Sequence, residues 1–292
     1  MRVAEGLTTT EGWVRARAAL GEAVGQVTAL LRSGPDPAAP AVGEWNVGEL
    51  AMHLSQAWLA VPGLARADLS GMYDVVPSLA DQAGDSLVAD LWDLADTTQQ
   101  AVEADTERDL SVLADRIEQR AAAYLAEADA QRIDDRRAWL VSCPAVPMPM
   151  LTHHLLNETV VHGYDIARAT GKPYRIDPEH ASMILSGFIV QVFRSLPPAT
   201  LVDPVRGAVT ATFALHIRGG ATYHFVFAGG EVRVEDPAPR RIDCHISADP
   251  VAFLLVTWGR RSQWQAIARG QLVSWGRKPW LGTRFRKMIR NP

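Results

Sequence analysis

The chain is poor in cysteine. Its 292 residues include two, Cys143 and Cys244, and no CxxC pair. That excludes a disulfide framework and the common zinc-finger spacings, and it fits a reducing compartment. Lysine is scarcer than chance, with Lys172, Lys278 and Lys287 the only three among 29 basic residues. The imbalance towards arginine, together with abundant alanine, is the mark of a GC-rich genome and carries no chemistry. Long apolar runs are missing. The stretch 183–193 is too short to span a bilayer and is broken by Ser186 and Gln191. Residues 1–10 hold no apolar run of signal-peptide length, so a cytoplasmic protein is expected and the Asn157-Glu158-Thr159 sequon is set aside. Acidic residues are absent from 250–292, which carries nine Arg or Lys, against −13 for the remainder and −4 for the whole. Trp258, Trp264, Trp275 and Trp280 punctuate this basic segment. It reads as a solvated face, as a surface docked on the acidic stretch 81–115, or as a site for an anionic small molecule. Nucleic acid ranks last, because the protein as a whole is acidic. Also missing are GxGxxG, Walker A and GxSxG motifs, so dinucleotide, P-loop and α/β-hydrolase chemistry find no support.

What is present is an ordinary globular composition, 48% hydrophobic and 21% charged, enough for a core that needs no staple. The first part reads as helices. Leu20, Val24, Val27 and Leu31 recur at helical spacing, and Ser33-Gly34-Pro35 stops the helix. A second helix starts at Asn46, where Asn46 and Glu49 form a capping box, with Leu50, Leu54 and Ala57 on its apolar stripe. A helical acidic region is expected over 87–128. The proline-rich 142–149 is an extended loop leading into a helix over 150–170, closed by Gly171. One more helix is expected over 178–196. The pattern then changes to strands over 209–217, 222–227, 231–234 and 242–247, with Ala228-Gly229-Gly230 as a hairpin turn, and two or three helices end the chain. The fold class is therefore α+β, with a helical domain at 1–196 and a small α/β domain at 205–292.

The chemical signal lies on helix faces. His53 shares the stripe of Leu50, Leu54 and Ala57. On the later helix Leu151, His154, Leu155, Glu158, Val161, His162 and Asp165 share one stripe. A core-facing helix has no reason to carry Glu158, His162 and Asp165 there, since burying an unpaired carboxylate costs several kcal/mol or more. A metal ion is the economical compensation. Glu158 and His162 stand four apart, one above the other, and His53 supplies a third ligand from another helix. Two histidines and a carboxylate with one open position suit catalytic zinc, and also iron or manganese. The competing reading is a plain hydrogen-bond network, since Glu-x-x-x-His is common on helices. His154 is read as a substrate or cofactor contact, or as a hydrogen-bond partner of the ligands. Asp165 is read as orienting His162, and His153 as a surface residue. His180, His216, His224 and His245 are read as surface or packing positions. Cys143 is read as a small packed side chain, because no basic neighbour in sequence depresses its pKa.

Two stretches carry a resemblance. Glu44-Trp45-Asn46-Val47-Gly48-Glu49-Leu50-Ala51-Met52-His53-Leu54 resembles the first motif of the DinB-like helical-bundle superfamily. Asn157-Glu158-Thr159-Val160-Val161-His162-Gly163-Tyr164-Asp165-Ile166-Ala167-Arg168-Ala169-Thr170-Gly171 resembles the second motif of its mycothiol-dependent maleylpyruvate isomerase branch. Ala268-Arg269-Gly270-Gln271-Leu272-Val273-Ser274-Trp275-Gly276 resembles a glycine-bounded segment of the small α/β, sterol-carrier-like domain that accompanies the bundle in that branch. The resemblance covers essentially the whole chain. It implies a DinB-like four-helix bundle followed by a sterol-carrier-like domain, with His53, Glu158 and His162 as zinc ligands. It implies mycothiol, the low-molecular-weight thiol of actinobacteria, as cofactor, with His154 and Asp165 as candidate contacts to it. Arg269 and Arg277 are the candidate catalytic arginines, placed to hold carboxylates of an anionic electrophile. The implied chemistry is attack of a zinc-held thiolate on that electrophile, ending in cis-trans isomerisation or in thiol transfer, in a cleft between the domains. Many relatives carry Arg after the second histidine, where this chain has Gly163, so maleylpyruvate itself is not implied. A metal-dependent hydrolase and a non-enzymatic lipid or small-molecule binder are the alternatives. The expected partners are small molecules only, with no membrane and no nucleic acid, and the protein is expected as a monomer or homodimer.

Overall fold

The computed structural model describes residues 9–77, 80, 94–128, 131–139 and 144–290. The readings of Cys143, of the N-terminal segment before Thr9 and of residues 81–93 of the acidic stretch lie outside the described residues. The chain divides into two compact units, Thr10–Ile176 and Asp177–Asn291.

The first unit is built on four long helices, α1 (Thr10–Arg32), α2 (Val47–Arg66), α5 (Leu110–Ala128) and α6 (Met148–Thr170), with two shorter ones, α3 (Ser70–Val75) and α4 (Leu94–Ala104). Helices α1 and α2 each pack on both α5 and α6, which makes a four-helix bundle. The apolar stripes explain this arrangement. Leu20, Val27 and Leu31 of α1, Leu50, Leu54 and Trp58 of α2, and Leu113 and Ile117 of α5 are all buried. The acidic helical region expected over 87–128 is interrupted at 105–109, between α4 and α5. Helix α2 begins as the sequence requires. The Asn46 side chain accepts from the Glu49 N–H at 2.9 Å, and Glu49 accepts from the Asn46 N–H at 2.9 Å. Helix α6 begins two residues before the expected start, at Met148, because the proline at its first turn has no N–H to lose. Gly171 closes it in the left-handed region, at φ 65°.

Helix α6 is held from three sides. The Thr152 hydroxyl lies 2.8 Å from Trp13 Nε1 on α1 and 2.7 Å from the Tyr124 hydroxyl on α5. Trp58 Nε1 of α2 donates to Thr159 Oγ1 at 3.2 Å. Buried donors thus find acceptors, and the azimuth of α6 is set by bonds to three neighbours. A helix surrounded in this way has no solvent face along its middle. That overturns the reading of His153 as a surface residue: it is 1% exposed, and its Nδ1–H donates to the Pro149 carbonyl at 2.6 Å.

The second unit opens with the helical run expected over 178–196, resolved into α7 (Pro178–Ile184), a π-helical turn (Leu185–Ile189) and α8 (Val190–Ser195). This run packs against α9 (Pro250–Thr257) and β7 (Glu231–Glu235). The division between units therefore falls one helix earlier than the proline-rich 197–204. Strands β5 (Ala211–Ile217), β6 (Thr222–Ala228), β7, β8 (Cys244–Ala248) and β9 (Leu272–Trp275) form one sheet in the order β7-β6-β5-β8-β9. Two short two-strand pairs, β1 (Pro40–Val42) with β2 (Trp45–Asn46) and β3 (Arg136–Arg137) with β4 (Val146–Pro147), belong to the first unit. Within this five-stranded sheet only the β5–β8 pair is parallel. Gly229 and Gly230, both at positive φ, make the two-residue β6–β7 hairpin. Phe213, Leu215, Phe225, Phe227 and Ile246 fill one face of the sheet, and Phe285 packs on Phe213 and Phe225. Strand β9 was not foreseen. It lies in a segment read as helical, of which only α10 (Gln263–Ala268) and two 3₁₀ turns follow α9. The burial of β9 alternates, but its exposed positions are the apolar Val273 and Trp275 and one of its half-buried positions is Ser274, so the sequence lacks the apolar/polar alternation by which strands are read.

Candidate metal centre

Helix α6 carries His154, Glu158, His162 and Asp165 along one row, and α2 brings His53 against it. Glu158 Oε2 lies 3.3 Å from His53 Nε2 and 3.2 Å from His162 Nε2. The His53 and His162 rings meet edge to face at 4.9 Å. One ligand atom from each of His53, Glu158 and His162 falls within 4.8 Å of the other two. Among the described residues this is the one group of three or more potential ligands so disposed. The other carboxylate oxygen, Oε1, faces His154 Nε2 at 3.5 Å and accepts from Asn157 Nδ2 at 3.2 Å. The His53, Glu158 and His162 side chains keep 17, 14 and 13% of their surface exposed, so a small solute reaches them. Trp45 flanks His53 at 5.1 Å and bonds Gln99 through Nε1 at 2.7 Å, while Trp139 flanks His154 at 5.7 Å.

Burial alone would push the Glu158 carboxyl up. The imidazoles of His154, His162 and His53 outweigh it and hold the group well below the usual carboxylate range. His53 is pushed down, by burial first and by its cationic neighbours. His162 is also disfavoured as a cation by burial, but Asp165 and Glu158 reverse this and lift it to about 9. The site thus concentrates negative charge beside two imidazoles and holds one proton. A cation entering here displaces that proton. Ligand atoms about 2.0–2.2 Å from a tetrahedral ion stand roughly 3.4 Å apart, close to the two separations seen here. The donor set therefore fits a divalent metal: two imidazole nitrogens and one carboxylate oxygen on two helices tied by buried bonds.

The remaining residues singled out from sequence fall in different places. Asp165 is wholly buried, with Oδ2 3.4 Å from His162 Nδ1. A side chain with no exposed surface makes no contact with a soluble cofactor, and its position is that of an orienting partner for the His162 ring. His154 lies at the site, on the far oxygen of Glu158. Arg269 and Arg277 belong to the other unit. Both are exposed, and Arg277 stands 3.5 Å from Asp243. Sequence reasoning missed Tyr174. Its ring fills the space beside Gly163, where a Cβ would come within 2.6 Å of Tyr174 Cζ, and its hydroxyl donates to the Thr159 carbonyl at 3.5 Å. The glycine after the second histidine thus makes room for a half-buried aromatic ring. A glycine in mid-helix was the available signal.

No protein-family model and no curated protein matches the chain. Among solved structures it is similar to the mycothiol-dependent maleylpyruvate isomerase, at 11% identity and a TM-score of 0.50, over 90% of this chain and 92% of that one. It is similar also to a histidine-to-alanine mutant of that enzyme, at 11% identity and a TM-score of 0.52 over the same shares. The ubiquinone synthesis protein UbiJ-SCP2 covers 40% of this chain and 93% of its own at 17% identity, with a TM-score of 0.27 that carries no argument. The likeness shows the fold: a DinB-like helical bundle and a small α/β domain in one chain.

Proposed function

We propose that His53, Glu158 and His162 hold one zinc ion and that the chain is a mycothiol-dependent enzyme acting on a small anionic electrophile. The reaction class is cis-trans isomerisation or thiol transfer. The observation that carries this reading is the triad itself, three ligand atoms within 4.8 Å of one another on two helices of a bundle with this fold. When bound, zinc supplies the positive charge that keeps a thiol ionised at neutral pH.

The chain's own residues do the rest. Glu158 contributes a full negative charge, kept ionised by the imidazoles around it. The carboxylate of Asp165, with Oδ2 3.4 Å from His162 Nδ1, favours a proton on that nitrogen, which leaves Nε2 as the ligand atom. His154, with Nε2 3.5 Å from the second oxygen of Glu158 and 14% of its side chain exposed, is proposed to contact the thiol cofactor. Arg269 and Arg277 are proposed to bind substrate carboxylates, a task for which planar guanidinium groups are suited. No helix among the described residues is long and apolar enough to cross a membrane. A cytoplasmic enzyme of an actinobacterium, monomeric or homodimeric and without a nucleic-acid partner, completes the proposal.

Calorimetric titration of the zinc-loaded and chelator-stripped protein with mycothiol tests it. Binding is expected with the metal and is expected to disappear without it and in Glu158→Ala. Mycothiol binding indifferent to both would overturn the reading. Zinc-dependent hydrolysis with no thiol binding would replace it by a hydrolase.

A further inference from the structure

Glu158 has two oxygens, and the fold gives them different neighbours. Oε2 stands 3.3 Å from His53 Nε2 and 3.2 Å from His162 Nε2. Oε1 accepts from Asn157 Nδ2 at 3.2 Å and has His154 Nε2 at 3.5 Å. His154 does not join the triad, since among the described residues only His53, Glu158 and His162 bring ligand atoms within 4.8 Å of one another. Asn157 lies in the middle of α6, only 2% exposed, with the buried Leu155, Leu156, Val160 and Val161 as its neighbours in sequence. Helix propensity and burial both select against it, because asparagine is a poorer helix former than leucine or alanine and a buried amide must find partners. What its amide supplies and leucine would not is the bond to Glu158 Oε1. The helix cannot turn this group away. Thr152, bonded to Trp13 and Tyr124, and Thr159, bonded to Trp58, fix the azimuth of α6 on either side of residue 157.

We propose that Asn157 is a positioning residue of the metal centre: by holding Oε1 it restricts Glu158 to a single ligating oxygen, Oε2, and so keeps a position on the ion open to small molecules. This rests on His53, Glu158 and His162 being the metal ligands. A carboxylate can give an ion one oxygen or both. With both, Glu158 and the two histidines would supply four protein atoms, the count of a closed structural zinc site. With one, the count is three, which is that of a catalytic site. For Oε1 to join, the carboxylate would have to turn out of the Asn157 bond and leave a buried amide N–H without that acceptor, which is costly. His154, one helical turn before Glu158, favours the same orientation from its other side, and Trp139 packs edge to face on the His154 ring at 5.7 Å.

Cobalt(II) titration of the metal-stripped full chain, read by visible absorption, tests this. The visible bands of cobalt(II) are most intense with four ligands and weaken as ligands are added. Asn157→Leu and the smaller, helix-favouring Asn157→Ala spare every ligand, and circular dichroism identifies the variants that keep the wild-type helical content. The wild type is expected to take up one equivalent. The variants are expected to take up one equivalent as well, with a loss of band intensity as Oε1 joins the ion. Bands as intense as those of the wild type in a folded variant would overturn the proposal and leave the triad standing. Loss of cobalt binding in a folded variant would also overturn it, by making Asn157 a determinant of affinity and not of the number of ligating oxygens. A wild type that takes up neither cobalt nor zinc would overturn the triad, and the proposal with it.

Discussion

Mild acid is expected to destabilise the helical bundle through His153. This side chain is 1% exposed, its Nδ1–H is committed to the Pro149 carbonyl, and its Nε2 has no partner among the described residues. A proton on Nε2 would be a buried charge with nothing opposite it, so burial holds the group down to about 4, against 6.5 for a free imidazole. Between these values the unfolded chain takes up a proton that the folded chain refuses. Stability from this group is therefore intact above pH 6.5 and falls as pH is lowered towards 4. The full loss is about 3 kcal/mol, of which about 2 kcal/mol is already gone at pH 5. His153→Gln keeps an N–H for the Pro149 carbonyl and does not titrate. Urea unfolding of the metal-free wild type and of this variant, at pH 7.5 and pH 5.0, isolates the effect, because every other group titrates in both. The wild type is expected to lose about 2 kcal/mol more than the variant over that interval. Equal losses would refute the assignment of His153 as a buried neutral base.

Gly163→Ala ought to gain helix propensity, by roughly 1 kcal/mol. It is expected instead to lower stability by about 1–3 kcal/mol, because the new methyl group meets the Tyr174 ring; a thermal melt decides the sign. Asn46→Ala removes the capping box that starts α2 and is expected to cost about 1 kcal/mol in urea unfolding. Asp165→Asn keeps all three triad residues yet withdraws the charge behind His162. Zinc affinity, measured by competition with a chromogenic chelator, is expected to fall about 10- to 100-fold; an unchanged affinity would remove Asp165 from the site.

Much of the first unit was legible because its signals are local. The Asn46 and Glu49 pair announces a helix start, Gly171 announces an end, and the stripe of α6 shows Glu158, His162 and Asp165 facing inward. A carboxylate on an apolar face is itself a statement about a partner, and that partner came from the one other helix with a histidine on its stripe. What failed to show was set by tertiary surroundings. His153 lies off the stripe, yet it is buried because α6 is enclosed by three helices. Tyr174 lies past the end of α6, and nothing local says that its ring returns to Gly163. Strand β9 sits at a sheet edge and exposes the apolar Val273 and Trp275, so its sequence does not alternate as its burial does. The contact between His216 and His245 depends on the register of β5 and β8, and sequence distance hides a register of that kind.

The most direct test of the metal site is elemental analysis of the purified wild type alongside His53→Ala, Glu158→Ala and His162→Ala. Near-stoichiometric zinc in the wild type, lost in each variant while all four proteins keep the same helical content, is the expected result. A wild type that carries no divalent metal and takes up none on addition would contradict it, and would leave His53, Glu158 and His162 as a buried hydrogen-bond network.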